Sequence, residues 1–81
     1  GVVLFGRNVV DAEQVARLIH SIKTYAGRPL MVGLDQEGGL VQRLRVGFTR
    51  IPPMRAVGAL GDEGVAFEMG RLLGRELRAV G

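Results

Sequence analysis

At 81 residues, with eleven Lys/Arg against eight Asp/Glu and a formal charge of +3, the chain is long enough for one small domain or for a portion of a larger one. It has no cysteine and a single histidine, which excludes a disulfide framework, a thiolate metal site and a histidine-rich metal centre within these residues. Its basic residues are interspersed with acids and no apolar run approaches the ~20 residues of a membrane span, so neither a nucleic acid nor a membrane is expected as a partner.

In chain order, residues 2–5, Val-Val-Leu-Phe, are continuously apolar and rich in β-branched side chains, which suits a strand covered on both faces. Asp11 followed by Gln14 resembles a capping box, and Val15, Leu18, Ile19 and Ile22 recur at the spacing of one helix face, predicting a helix over 12–25. His20 lies off that face and reads as an ordinary surface histidine. Gly27 stops the helix, Pro29 follows, and a second apolar run, 30–34, ends at Asp35. A further helix begins at Asp62 or Glu63, with Val65, Ala66, Met69, Leu73, Leu77 and Val80 as its apolar stripe and Arg71, Arg75 and Arg78 mostly off it. Neither the opening "GVVLFG" without Met nor the closing "RELRAVG" reads as a natural terminus, and no internal repeat or low-complexity tract is present.

The pattern is β-α-β-loop-α. A crossover helix between two short apolar runs implies parallel strands connected right-handedly. Two such strands and two helices cannot close a sheet or cover both of its faces, so further βα units are expected outside these residues. The fold class is α/β, with a partial (β/α)8 barrel as the first reading and an open doubly wound sheet as the alternative.

In either fold, ligands gather outside the carboxyl ends of the strands. Asp35, placed at the end of the second strand, would therefore face the mouth of a site, and a charge directly after five apolar residues needs a partner. Gly38 and Gly39 permit a sharp departure from the strand and a close approach of backbone to a ligand, although "EGG" also reads simply as a tight turn. If the strand persists, Asp35 and Glu37 share one side with Cβ atoms roughly 6.6 Å apart. That overlaps the carboxylate separations of glycosidases, but the glycines argue against persistence, and two acids on one short segment do not readily flank opposite faces of a sugar ring. Arg45, Arg50 and Arg55 read as solvated charges around the turn made rigid by Pro52 and Pro53, ahead of a role in recognising anionic sugar substituents.

The stretches "GVVLFGRNV", "VGLDQEGGLVQRL" and "GFTRIPPMRAVGAL", in this order and spacing, resemble the amino-terminal barrel region of family 3 glycoside hydrolases, in particular the β-N-acetylhexosaminidases. The resemblance implies that residues 1–81 are an incomplete segment of a single glycoside hydrolase barrel domain, whose partner is the rest of the barrel. It implies a retaining hydrolase that removes terminal N-acetylglucosamine from glycosides such as peptidoglycan fragments during cell-wall recycling, with a cytoplasmic location and no metal or organic cofactor.

Residue by residue, the resemblance makes Asp35 a binder of sugar hydroxyls in the −1 subsite and Arg43 a second sugar-binding group. Glu37, Gly38, Gly39 and Gln42 become supports of the site loop, with Glu37 expected to receive hydrogen bonds within the turn. No catalytic residue is expected in this segment, because the nucleophilic aspartate and the acid/base histidine of the family lie on later βα loops, and His20 cannot substitute. Leu40 stands where the family usually has arginine, which removes a local ion pair that could steady the loop. A second class of function stays open, a non-catalytic βα binding or assembly unit that pairs through its strand edges.

Overall fold

A computed structural model describes all residues 1–81. Its parallel pair is β1 (Val2–Leu4) and β2 (Val32–Leu34), with partners Val2 and Val32, Val3 and Gly33, Leu4 and Leu34. A 3-10 turn over Gly6–Asn8 and α1 (Ala12–Ala26) connect the two strands. The predicted helix is there to within one residue. The strands are shorter than the apolar runs, since the chain turns away at Phe5 and Asp35, and residues 30 and 31 precede the start of β1's partner register.

The start of α1 shows how the sequence sets the crossover. Asp11 caps it, its Oδ1 accepting from the Gln14 backbone N–H at 2.8 Å, an arrangement worth about 1 kcal/mol. Gln14 does not close the expected reciprocal box on the cap residue. Its Oε1 accepts from Val10 N at 2.8 Å and its Nε2 donates to Asn8 O at 2.9 Å, so the amide fastens the 3-10 turn to the helix. The turn following β1 is thereby fixed in place.

Leu4, Val15, Ile19, Leu44 and Val80 form the buried core, flanked by Val2, Val32, Leu34, Phe48 and Leu77. This core lies on one side of the β1–β2 pair, where side chains of α1 and the end of α3 (Glu63–Ala79) meet the strands. The alternation of the strand sends Val3 to the other side, where it is 59% exposed opposite Gly33. The expected cover on both faces is absent from this chain: it supplies one layer of helices and leaves the second face bare. Nine of 81 residues are buried, a small core of the kind that leaves a domain of this size marginal.

Two elements in the predicted loop were not foreseen. β3 (Gln36–Gly38) and β4 (Val41–Gln42) form an antiparallel hairpin, and α2 (Met54–Ala59) is a single short helix after Pro53. α3 begins where expected, with Asp62 Oδ1 accepting from Gly64 N at 2.9 Å and Val65 N at 3.2 Å. Near its end, the Glu76 carboxylate accepts from the Thr49 backbone N–H and, at 2.5 Å, from Thr49 Oγ1. That contact ties the helix to the segment that follows the hairpin.

Candidate functional site

The chain leaves β2 at Leu34 and enters the hairpin two residues later, so Asp35 sits at the carboxyl end of the parallel pair. Gln36 lies directly opposite Gln42. Continuing that antiparallel register by one step sets Asp35 opposite Arg43 at the open end of the hairpin. Their side chains meet there, with Arg43 Nη2 3.6 Å from Asp35 Oδ2. The pair is too long for a hydrogen bond. Asp35 is 54% exposed and Arg43 31%, so both charged heads remain available to a third group. Arg43 Nε is buried without a hydrogen-bond partner, and an orphaned donor of this kind carries a desolvation cost of about 1–3 kcal/mol until something accepts from it.

The stem of Arg43 runs past the turn that follows β1, where a Cβ on Gly6 would come within 3.8 Å of Arg43 Cδ. Phe5, one position beyond the last paired residue of β1, carries the Arg7 guanidinium over its ring at 4.8 Å. The carboxyl ends of both parallel strands thus converge on one rim. Phe5 and Arg7 were not marked from the sequence; the signal was the polar "GRN" breaking directly from an apolar strand.

Beneath this rim the loop is built from amides. Gln42 is 1% exposed, its Nε2 donating to Leu44 O at 2.8 Å and Thr49 O at 2.9 Å and its Oε1 accepting from Ile51 N at 3.0 Å. Gln36 grips the same Leu44 from the other strand, donating to its carbonyl at 3.1 Å and accepting from its N–H at 3.0 Å. Arg45 Nε donates to Gln42 O at 2.7 Å and its Nη2 to Leu40 O at 3.2 Å. Arg45 is exposed, as expected of a solvated loop charge, and its guanidinium also braces the loop backbone.

Gly38 and Gly39 are required by close approach, but to the chain's own backbone. At Gly38, where φ is 87°, a Cβ would lie 2.3 Å from Pro52 O, and at Gly39, where φ is 59°, it would lie 3.0 Å from Pro53 Cβ. Gly39 N also donates to Ile51 O at 2.8 Å. The "EGG" and "IPP" stretches are two sides of one packed turn.

The register slips between the pair of Gln36 and Gln42 and the pair of Gly38 and Val41, leaving Glu37 as the extra residue of a β-bulge. Its side chain is exposed and receives none of the hydrogen bonds expected within the turn; the glutamines hold the turn instead. The bulge breaks the regular alternation on which a paired Asp35 and Glu37 would depend. Leu40, at the tip, is 93% exposed. His20 is exposed on α1, away from the rim, and no three His, Asp or Glu side chains come together as a metal-binding group.

The chain matches, over residues 1–81, the model of the "Glycosyl hydrolase family 3 N terminal domain". It is 48% identical to a beta-hexosaminidase of Thiobacillus denitrificans, covering 100% of this chain and 24% of that protein. To a beta-hexosaminidase of Nitrosomonas eutropha it is 44% identical, covering 100% and 25%. The chain spans about a quarter of the length of these curated relatives. Among solved structures, a glycoside hydrolase family 3 beta-N-acetylglucosaminidase from Paenibacillus sp. str. FPU-7 superposes with a TM-score of 0.93 at 40% identity, over 99% of this chain and 16% of that one. NagZ from Neisseria gonorrhoeae, in complex with N-trifluoroacetyl-D-glucosamine, superposes with a TM-score of 0.89 at 38% identity, over 100% of this chain and 26% of that one. With these neighbours, the β-α-β-loop-α segment is part of a (β/α)8 barrel and not of an open doubly wound sheet.

Proposed function

Because this chain belongs to the glycosyl hydrolase family 3 N-terminal domains, we propose that it forms the incomplete first portion, residues 1–81, of a barrel domain in a retaining β-N-acetylhexosaminidase. The whole protein removes terminal N-acetylglucosamine from glycosides, with peptidoglycan fragments as the natural substrate class. A cytoplasmic location goes with the recycling of such fragments, and cell fractionation tests it.

The observation that carries the reading is the pairing of Asp35 with Arg43 across the open end of the hairpin, at the end of a parallel strand. Asp35 presents carboxylate oxygens that accept from two neighbouring sugar hydroxyls. Arg43 presents a planar fork whose N–H groups donate to sugar oxygens, and its orphaned Nε marks it as a group with bonding capacity unspent inside the chain. Loosely paired charges suit this work, since each keeps the other oriented while a ligand completes both sets of hydrogen bonds. The segment binds and orients. The attack on the anomeric carbon by a carboxylate and the protonation of the leaving oxygen fall to an aspartate and a histidine outside these residues. Gly38, Gly39 and Gln42 shape the loop that carries the two binding groups, and Glu37 enters it only as the bulged backbone position.

A second reading, a non-catalytic assembly unit, has the bare sheet face and free strand edges in its favour. The same edges are what the remaining strands of a barrel cover, so they support the first reading equally. The deciding experiment is steady-state kinetics of the full-length protein with a chromogenic N-acetylglucosaminide. Asp35→Ala should lower kcat/KM about 10- to 100-fold, the value of a charge-assisted hydrogen bond of about 1.5–3 kcal/mol. Wild-type kinetics in a folded variant would remove Asp35 from the sugar site.

A further inference from the structure

The structure assigns Gln36 a role that rests on the sugar-binding reading and goes beyond it: Gln36 is a positioning residue, acting through the backbone of Leu44 to hold Arg43 at working distance from Asp35. The head of Arg43 is held only by the 3.6 Å ion pair, and its Nε has no partner. A flexible side chain so loosely held takes its place from its backbone. Both backbone neighbours of Arg43 are locked. Gln42 is buried with its amide fully engaged, and Leu44 is 0% exposed, its side chain in the core and its carbonyl accepting from two glutamines.

Of these two glutamines, only Gln36 adjoins Asp35 in the chain. Its amide makes a two-bond ring with Leu44, accepting from N at 3.0 Å and donating to O at 3.1 Å. One end of that ring is covalently next to the carboxylate and the other is next to the guanidinium. The hairpin ladder alone does not supply this constraint, because β4 ends at Gln42 and no strand pairing reaches Arg43 or Leu44. Gln36 extends the pairing past the end of the strand by using a side chain in place of a backbone. Fixing two charges relative to each other before the ligand arrives reduces the ordering cost of binding.

The test is a double-mutant cycle in the full-length protein, with kcat/KM for a chromogenic N-acetylglucosaminide and the melting temperature read for every variant. Gln36→Met keeps the size of the side chain and removes both hydrogen bonds; it should lower kcat/KM roughly tenfold. In an Asp35→Ala background the same change should cost less than about twofold, because the pair it serves is already broken. Gln36→Glu retains the acceptor for Leu44 N but sets an acceptor-only oxygen against Leu44 O, and should show a loss at least as large with the same dependence on Asp35; it also carries the test if Gln36→Met fails to fold.

Equal losses in both backgrounds, tracking a fall in melting temperature, would make Gln36 a structural residue and overturn the proposal while leaving Asp35 as a sugar-binding group. An Asp35→Ala variant with wild-type kinetics would instead overturn the sugar-binding reading, and the positioning role with it. Strong coupling between the two positions, with melting temperatures little changed, supports the positioning role.

Discussion

Residues 35–51 and the helix α3 depend on different things for their structure. The first region spends most of its polar groups on itself, Thr49, which donates to Glu76 of α3, being an exception. Gln36, Gln42 and Arg45 satisfy backbone groups of Leu40, Gln42, Leu44, Thr49 and Ile51, and Gly38, Gln42, Leu44 and Ile51 are buried. α3 is longer than any other element, yet none of its 17 residues is buried and Phe67 is 69% exposed. Its backbone is satisfied internally, as in any helix, but its apolar stripe is only half-covered: Leu77 and the following Val80 reach the core, while Val65, Met69 and Leu73 stay half-exposed. The hairpin region is held mostly by bonds within itself and sets Leu44 into the common core, whereas most of α3 is held by its own backbone alone.

Separating the regions from the rest of the protein gives the largest expected effect. The isolated 81-residue chain should show no turnover of a chromogenic N-acetylglucosaminide, since the proposed function places the attacking carboxylate and the proton donor outside it. Its bare sheet face and α3 should make it oligomeric on sizing with light scattering. Amide exchange should remain slowest around Gln42 and Leu44 and fastest in α3. A monomer with α3 as protected as the hairpin would erase the difference between the regions.

Within the hairpin region, Gly38→Ala in the full-length protein should cost about 2–4 kcal/mol in denaturant unfolding, combining the strain of positive φ with a Cβ driven against Pro52 O. A loss under about 0.5 kcal/mol would mean that the turn shifts freely. Gln42→Met should cost about 2–3 kcal/mol by leaving Ile51 N and Thr49 O without partners, while Leu44 O keeps Gln36. The smallest effect is assigned to Glu37→Gln. A bulged, exposed side chain without partners should change stability by less than about 0.5 kcal/mol and leave kcat/KM near wild type. A large kinetic loss there would revive a chemical role for the second acid.

The same contrast decides what was legible in the sequence. α1 was readable because its signals are local: Asp11 at the cap, the three-and-four spacing of apolar residues, and Gly27 at the end. Asp35 stood out because a charge after an apolar run demands an explanation. The hairpin was missed because its turn signals, "GG" and later "PP", normally interrupt strands, and its pairing is secured by side-chain bonds to residues up to nine positions away. Short propensity windows do not register such bonds. α2, six residues without a side-chain cap, lies below the length at which periodicity is informative. Gln36 carried no flag at all, being a neutral amide between two acids whose charges draw the eye.

The order in which contacts become available during synthesis follows from where they lie along the chain. The hairpin closes through pairings and bonds between residues separated by three to nine positions, and β-hairpins form on the microsecond scale. The parallel pairing of β1 with β2 must wait for the whole of α1, and the Thr49 tether to Glu76 spans 27 positions. A chain emerges from the ribosome at roughly 5–20 residues per second, slow against all of these steps. Every group within the hairpin that sets Asp35 opposite Arg43 has therefore left the ribosome before α3 is complete, and only the Val80 side of the Leu44 packing comes later.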